Sequence, residues 1–171
     1  TNGCMEALIL SLRAVCKAGD TVAIESPSYY GMMQAAEQLG LNVLELPTHP
    51  RDGVELDALQ QALDQKLIDV CMFMPSFNNP LGSLMPRKSR QQMVAMLAQA
   101  KVPLIEDDIY GDLGYGDSRL PAAKSFDREG NVLLCSSFSK TLAPGYRIGY
   151  VVPGKQYEAV LRLKFLGNIA T

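Results

Sequence analysis

The sequence predicts an α/β fold in which helices cover both faces of a mainly parallel sheet. Short apolar segments with strand character alternate with longer segments that repeat leucine or methionine at helical spacing. The connections between them are mostly short turns, and this alternation is typical of a doubly wound sheet. The last two predicted strands have no helix between them, so one of them is expected to run antiparallel.

The elements of the first half follow from composition and turn signals. Residues 4–17 form a predicted helix that is apolar nearly all round and therefore buried on several sides, and Gly19 closes it. Residues 21–25 are a short strand, 32–39 a helix and 42–46 the next strand. A turn-rich segment then leads to the second half of the chain.

The second half continues the alternation. A helix is indicated by leucines 56, 59 and 63, and the continuous apolar run 68–74 is typical of a strand buried on both faces. The remaining predicted elements, in chain order, are a loop at 75–86, a helix at 87–100, a strand at 102–105, a loop at 111–127, strands at 132–135 and 148–152, and a helix at 156–166.

Composition excludes several classes of protein. The 171 residues are about one domain long, with 47% hydrophobic and 20% charged residues. The net charge of −2 gives no basic surface for nucleic acid within these residues, and no apolar run is long enough to cross a bilayer. The first residues lack the features of a signal peptide. We therefore expect a cytoplasmic protein without a membrane partner.

Cysteine and histidine give no metal site. The four cysteines are scattered through apolar segments, where we expect reduced core residues: Cys4, Cys16, Cys71 and Cys135. His49, the single histidine, precedes Pro50 in a turn and is interpreted as structural.

Polar residues follow the predicted strands. Tyr29, Asn79, Asp107 and Lys140 each come after a strand, and Gly3 lies at a helix start, where free N–H groups attract a phosphate. Because ligands of open α/β sheets bind outside the carboxyl ends of the strands, we expect these residues to meet in one site.

Lys140 indicates the chemistry of that site. A lysine at the end of a buried strand loses water, which lowers its pKa from about 10.4 and leaves an amine that can form a Schiff base with a carbonyl. The neighbouring serines and Arg147 suit a phosphate. A lysine Schiff base beside a phosphate site points to pyridoxal 5′-phosphate (PLP). The alternative is a polar loop with a solvated lysine.

Five segments resemble the fold-type I PLP enzymes, the aspartate aminotransferase superfamily. They are Thr1-Asn2-Gly3-Cys4-Met5-Glu6-Ala7-Leu8, Pro27-Ser28-Tyr29, Asn78-Asn79-Pro80-Leu81-Gly82, Asp107-Asp108-Ile109-Tyr110, and Ser137-Phe138-Ser139-Lys140 with Arg147. The resemblance covers nearly the whole chain. It implies the large domain of the PLP-dependent transferase fold, with three α/β/α layers around a mostly parallel sheet.

The resemblance also implies catalytic roles. Lys140 carries the cofactor as a Schiff base and moves the α-proton of the substrate. Asp107 pairs with the pyridine nitrogen, where an anion keeps the ring protonated as an electron sink. Glu106 and Asp108 are rival carboxylates, but only Asp107 stands three residues before Tyr110.

The remaining cofactor contacts are implied in the same way. Tyr110 and Asn79 hydrogen-bond the phenolic oxygen of the cofactor. The alternatives are that Tyr110 is a half-buried core tyrosine and that Asn79 only forms an Asn-Pro turn. Tyr29 stacks on the ring, a role that Tyr30 or plain packing could replace. The phosphate is held by the helix start and by side chains near the lysine: Gly3, Cys4, Met5, Ser137, Ser139 and Arg147.

The sequences of these motifs are similar to those of two branches of the superfamily. The segments from Asn78 and Ser136 look most like the aminotransferase-like domain of MocR-type regulators of the GntR family, in which a separate winged helix-turn-helix binds DNA and the PLP domain senses an effector. The seven-residue step from Lys140 to Arg147 is also similar to free-standing aminoadipate and aromatic aminotransferases, which transfer an amino group from an α-amino acid to a 2-oxo acid.

Residues 1–171 are expected to be one PLP-binding large domain from a longer protein. By the resemblance, the parent has a further N-terminal part and a small C-terminal domain, forms a homodimer, and binds an amino acid or amine. It contacts DNA only through a domain outside this chain. This segment alone is expected to lack transaminase activity.

Overall fold

A computed structural model describes residues 1–116 and 118–168. Its centre is a seven-stranded sheet in the order β3-β2-β1-β4-β5-β6-β7. The strands are β1 Thr21–Ser26, β2 Asn42–His49, β3 Gly53–Val54, β4 Val70–Phe73, β5 Leu104–Asp107, β6 Val132–Ser137 and β7 Gly149–Val152.

Five α-helices flank the sheet and make the predicted three layers. They are α1 Cys4–Val15, α2 Tyr30–Gln38, α3 Leu56–Asp64, α4 Arg87–Ala100 and α5 Tyr157–Gly167. Helices α3 and α4 pack on one face of the sheet, and α1, α2 and α5 pack on the other. The α/β/α architecture predicted from the alternation of segments is confirmed.

Side-chain alternation along the strands explains why both faces are covered. In β4, Val70 and Met72 pack towards α1 and α2, whereas Cys71 and Phe73 pack towards α3 and α4, and all four are fully buried. A strand with two apolar faces needs a helix layer on each side. The continuous apolar run of this strand is thus a direct consequence of its central position.

The sheet is parallel through β2, β1, β4, β5 and β6 and antiparallel at both edges. The antiparallel pairing of β7 with β6 matches the expectation for the last two strands. Strand β3 was not predicted, because a segment of two residues is too short to show the alternation of apolar and polar residues typical of a strand. Strand β2 also extends to His49, further than expected, and β5 ends at Asp107 instead of 105.

Three of the four cysteines lie in the core, and the single histidine lies in a turn. Cys4, Cys71 and Cys135 are buried and Cys16 is half-buried, and none of them is in a disulfide. The Nδ1 atom of His49 accepts N–H groups of the turn that follows it. Among the described residues, no helix is long and apolar enough to span a membrane.

Candidate functional site

The carboxyl ends of the central strands open into a cleft of about 440 Å³. Strands β1, β4, β5 and β6 all run in the same direction, so the loops that follow them meet at one edge of the sheet. The first turn of α1 closes the same edge. The predicted site residues that line the cleft are Cys4, Met5, Tyr29, Asn79, Asp107, Tyr110, Ser137, Ser139, Lys140 and Arg147.

The end of β5 carries three consecutive carboxylates with separate surroundings. Both oxygens of Glu106 accept backbone N–H groups at the start of a 3₁₀ turn, from Ala123 at 2.7 Å and Lys124 at 2.8 Å. Asp108 pairs with Arg119. Only Asp107 lines the cleft. Strand alternation and the local turn therefore separate the rival carboxylates that the sequence left side by side.

Asp107 is an almost fully buried acid. Its Oδ1 atom accepts the Ile109 N–H at 3.1 Å and the Cys4 thiol at 3.4 Å. Burial raises its pKa to about 6, and these two donors offset part of the effect. The side chain is thus an anion poised to gain from a cationic partner in the cleft. The thiol contact is additional to the backbone role predicted for Cys4.

An anion-binding corner lies where α1 begins. Gly3 is the N-cap, and no side chain in residues 1–116 and 118–168 caps the helix there, so its first N–H groups are available to bind an anion. The Arg147 guanidinium donates to the Asn2 carbonyl at 2.9 Å and to Ser139 Oγ at 3.4 Å. Gly3 has φ +77°, and a Cβ atom there would overlap that guanidinium. The absence of a side chain at Gly3 lets the arginine reach the helix start.

The serines after β6 lie in the same corner. Ser137 is buried at the strand end, and its hydroxyl accepts the Ser139 N–H at 3.3 Å. Together with Arg147 and the α1 N-terminus, they form a set of hydroxyl, guanidinium and backbone donors. This donor set suits an oxyanion with several acceptor oxygens, such as a phosphate.

Lys140 lies in the hairpin loop between β6 and β7. Its Nζ atom is 5.9 Å from the centroid of the Tyr110 ring, so the amine and the phenol share the cleft. The side chain is exposed. The expectation that strand-end burial removes its water is therefore wrong, because Lys140 lies three residues beyond the end of β6.

Two tyrosines stand at the opposite wall. The rings of Tyr29 and Tyr30 have centroids 4.7 Å apart and are tilted by 57°. Tyr29 is half-buried with its ring over Gly31, whereas Tyr30 is 65% exposed. Both line the cleft, but the more buried ring of Tyr29 is better placed to support a flat ligand.

Asn79 reaches the cleft from the loop after β4. It is half-buried, and its N–H is directed at the thioether of Met74 at 3.2 Å. Sequence reasoning missed Met74 as a cleft residue, because a methionine at a strand end carries no chemical signal. It also missed two buried charged groups that support this loop, Glu25 and Arg90.

Comparison with known proteins adds independent information. A family model described as aminotransferase class I and II matches residues 1–165. The uncharacterized HTH-type transcriptional regulators YdcR and YjiR of Escherichia coli are 43% and 42% identical to the chain, over 100% and 96% of it. The chain spans only 36% and 35% of their lengths, about a third of each.

A solved structure of similar shape is that of LysN, an alpha-aminoadipate aminotransferase from Thermus thermophilus, complexed with N-(5′-phosphopyridoxyl)-L-leucine. It superposes with a TM-score of 0.94 at 32% identity and covers 100% of this chain and 45% of its own. The sheet, its flanking helices and the cleft edge therefore have close counterparts in an enzyme of known fold.

Proposed function

Because the chain belongs to the class I and II aminotransferase family, we propose that it binds PLP in the cleft at the carboxyl edge of its sheet. The observation that carries the proposal is the convergence of an amine, a buried carboxylate, a phenol and an anion corner within about 440 Å³. When bound, PLP supplies an aldehyde that bonds to an amine and a pyridine ring that withdraws electrons from a substrate.

The residues fit each part of that group. The anion corner at Gly3, Ser137, Ser139 and Arg147 would hold the phosphate, with the free N–H groups of Cys4 and Met5. Asp107 would pair with a protonated ring nitrogen, since a buried carboxylate is stabilised by a cationic partner.

The phenol, amide and amine complete the site. Tyr110 and Asn79 would donate to the phenolic oxygen, and the ring of Tyr29 would lie against the pyridine face. Lys140 would provide the amine and later move a proton at the substrate's α-carbon. The exposure of Lys140 leaves its Nζ atom reachable by a ligand that enters the open cleft.

Cofactor uptake is tested with the purified full-length protein. Added PLP is expected to give a visible absorbance band, and borohydride reduction followed by peptide mass spectrometry is expected to place the cofactor mass on Lys140. Lys140→Ala should lose the band, whereas Lys88→Ala, an exposed lysine of α4, should keep it. Labelling of a different lysine would overturn the assignment.

We further propose that the domain senses an effector within a MocR-type regulator of the GntR family. The similarity to two HTH-type regulators over nearly the whole chain supports this proposal. In such a protein, residues 1–171 form the PLP-binding domain of a homodimer, DNA is bound through another domain, and the effector is an amino acid or amine. We place this activity in the cytoplasm, where a regulator meets DNA.

The alternative is the large domain of a free-standing aminotransferase, favoured by the structural match to LysN. One pair of assays separates the two. A regulator is expected to bind operator DNA with an affinity that changes when an amino acid or amine reacts with the bound cofactor. An aminotransferase is expected to convert an amino donor and a 2-oxo acid without affinity for DNA. In either case, residues 1–171 alone are expected to be inactive as a transaminase.

A further inference from the structure

A buried acid supports the cleft from behind. Glu25 is the fifth residue of β1 and is 1% exposed, at the carboxyl edge beside the end of β4. Its Oε2 atom accepts the Met74 N–H at 2.6 Å. This bond fixes the point at which the chain leaves β4 and turns towards the cleft.

The second oxygen of Glu25 faces the same loop. Glu25 Oε1 and Asn78 Nδ2 are both buried, and neither completes a hydrogen bond of normal geometry with any of the described residues. Burial raises the pKa of Glu25 to about 7, and the Asn78 amide lies close enough to the carboxyl to offset part of that rise. An acceptor and a donor that lack other partners, side by side in the core, are complementary.

These contacts hold both ends of one short segment. Glu25 holds Met74 at the start, and the Asn78 amide lies against Glu25 near the end. The Met74 thioether then receives the Asn79 N–H at 3.2 Å. Asn78 Oδ1 is already engaged by the Leu81 N–H at 3.4 Å, which directs the NH₂ group of Asn78 towards Glu25.

We propose that Glu25 is a positioning residue that, through Met74 and Asn78, sets where the Asn79 side chain lies in the cofactor cleft. This inference rests on the proposed PLP site, because Asn79 is the group through which Glu25 acts. Glu25 itself does not line the cleft. It differs from Glu106, an equally buried acid that holds a 3₁₀ turn on the far side of Asp107.

The decisive substitution is Glu25→Gln. Glutamine keeps the size and one acceptor oxygen, but its NH₂ group would face the NH₂ group of Asn78. Turning the Asn78 amide relieves that clash only by placing NH₂ against the Leu81 N–H. Replacing this complementary contact by two donors that face each other is expected to weaken PLP binding at least about fivefold.

A second effect separates positioning from general damage. A donor to the phenolic oxygen favours the phenolate, so a displaced Asn79 is expected to move the pH midpoint of the bound cofactor's absorbance upward. The exchange Glu25→Gln with Asn78→Asp restores one amide facing one carboxylate. That double variant is expected to return both the affinity and the pH midpoint towards the wild-type values.

The experiment measures PLP affinity and the pH midpoint of cofactor absorbance in the full-length protein. Glu106→Gln is the matched control, expected to lower thermal stability but keep the midpoint. If Glu25→Gln fails to fold, Asn78→Ala, which removes the facing amide, must give the same upward shift. A wild-type midpoint in the folded single variants, or no restoration in the folded exchange, would overturn the inference. If the wild-type protein takes up no PLP on Lys140, the proposed function itself fails.

Discussion

Gly3 shows how one backbone position governs the anion corner. Its φ of +77° is strained for any other residue, and a Cβ atom there would overlap Arg147. Gly3→Ala is therefore expected to displace the guanidinium and weaken PLP binding about tenfold or more, from a strain of roughly 1–3 kcal/mol. Equilibrium titration with PLP measures this loss. Gly167→Ala, with open space around it, should bind PLP as the wild type does.

Asp107 illustrates the conflict between a functional charge and stability. Asparagine keeps an acceptor for the Ile109 N–H and the Cys4 thiol but removes a buried charge whose pKa burial has raised to about 6. At pH 8, Asp107→Asn is expected to stabilise the cofactor-free protein by on the order of 2 kcal/mol.

The same substitution is expected to weaken PLP binding, since the partner proposed for the ring nitrogen is lost. Urea unfolding without cofactor and titration with cofactor give the two readings. A variant that loses stability and keeps its PLP affinity would contradict the role given to Asp107. Asp112→Asn, an exposed acid of the next loop, is the control expected to leave PLP affinity unchanged.

Single residues also mark the limit of what the sequence could predict. Tyr29, Asn79, Asp107 and Lys140 were expected in one site because each follows a strand, whereas Tyr110 and Met5 were implied by the family resemblance. Glu25 and Arg90 were missed, because a charged residue inside an apolar strand or helix is normally expected to face solvent. Only the tertiary contacts reveal that both are buried. Lys140 shows the reverse error, because it was expected to be buried and is exposed. Its position after a strand does not reveal how far the following loop extends from the sheet.

At the scale of elements, the loop at 75–86 depends on one arginine of α4. Arg90 is fully buried and donates to Pro75 O at 2.8 Å, Ser76 Oγ at 2.9 Å and Met85 O at 2.9 Å. This loop carries Asn79 into the cleft. The guanidinium thus joins both ends of a functional loop to the scaffold.

Arg90→Lys cannot reproduce this fork of donors, since an ammonium is a compact charge on a flexible stem. We expect a loss of roughly 3 kcal/mol or more in unfolding free energy, because buried acceptors are left without partners. Chemical denaturation measures it. Arg87→Lys, an exposed position in the same helix, is the control. Equal stability of both variants would show that the Arg90 contacts contribute little.

Elements with a clear pattern of apolar residues were predictable from the sequence, and elements without such a pattern were not. Strands β4 and β6 and helices α3 and α4 follow directly from apolar runs and helical spacing. Strand β3 forms only because β2 offers an unpaired edge beside the turn after His49. The placement of β4 beside β1, skipping β2 and β3 in the sheet order, is a property of the whole packing that no local segment encodes.

At the scale of the whole molecule, the parallel sheet gathers buried acids at the edge that opens into the cleft. The pKa values of Glu25 and Glu106 are raised by burial to about 7, and that of Asp107 to about 6. In the unfolded chain, these groups titrate at their ordinary values of 4.5 for glutamate and 3.8 for aspartate. The folded state therefore binds more protons than the unfolded state between about pH 4 and pH 7.

The sign of the effect follows from that difference. The contribution of these acids to stability is fully present below about pH 4 and is lost as the pH rises to about 7, by up to roughly 3 kcal/mol per glutamate. Asp127, whose pKa is lowered by Lys124 and nearby N–H groups, opposes the trend at the acidic end.

Urea unfolding of the cofactor-free protein at pH 5 and pH 8 is expected to give the lower free energy of unfolding at pH 8. Glu106→Gln should reduce that difference, and the exposed Glu129→Gln should preserve it. A wild-type protein that gains stability over this interval would mean that the buried acids are ionised at little cost, and that the cleft is more solvated than its packing indicates.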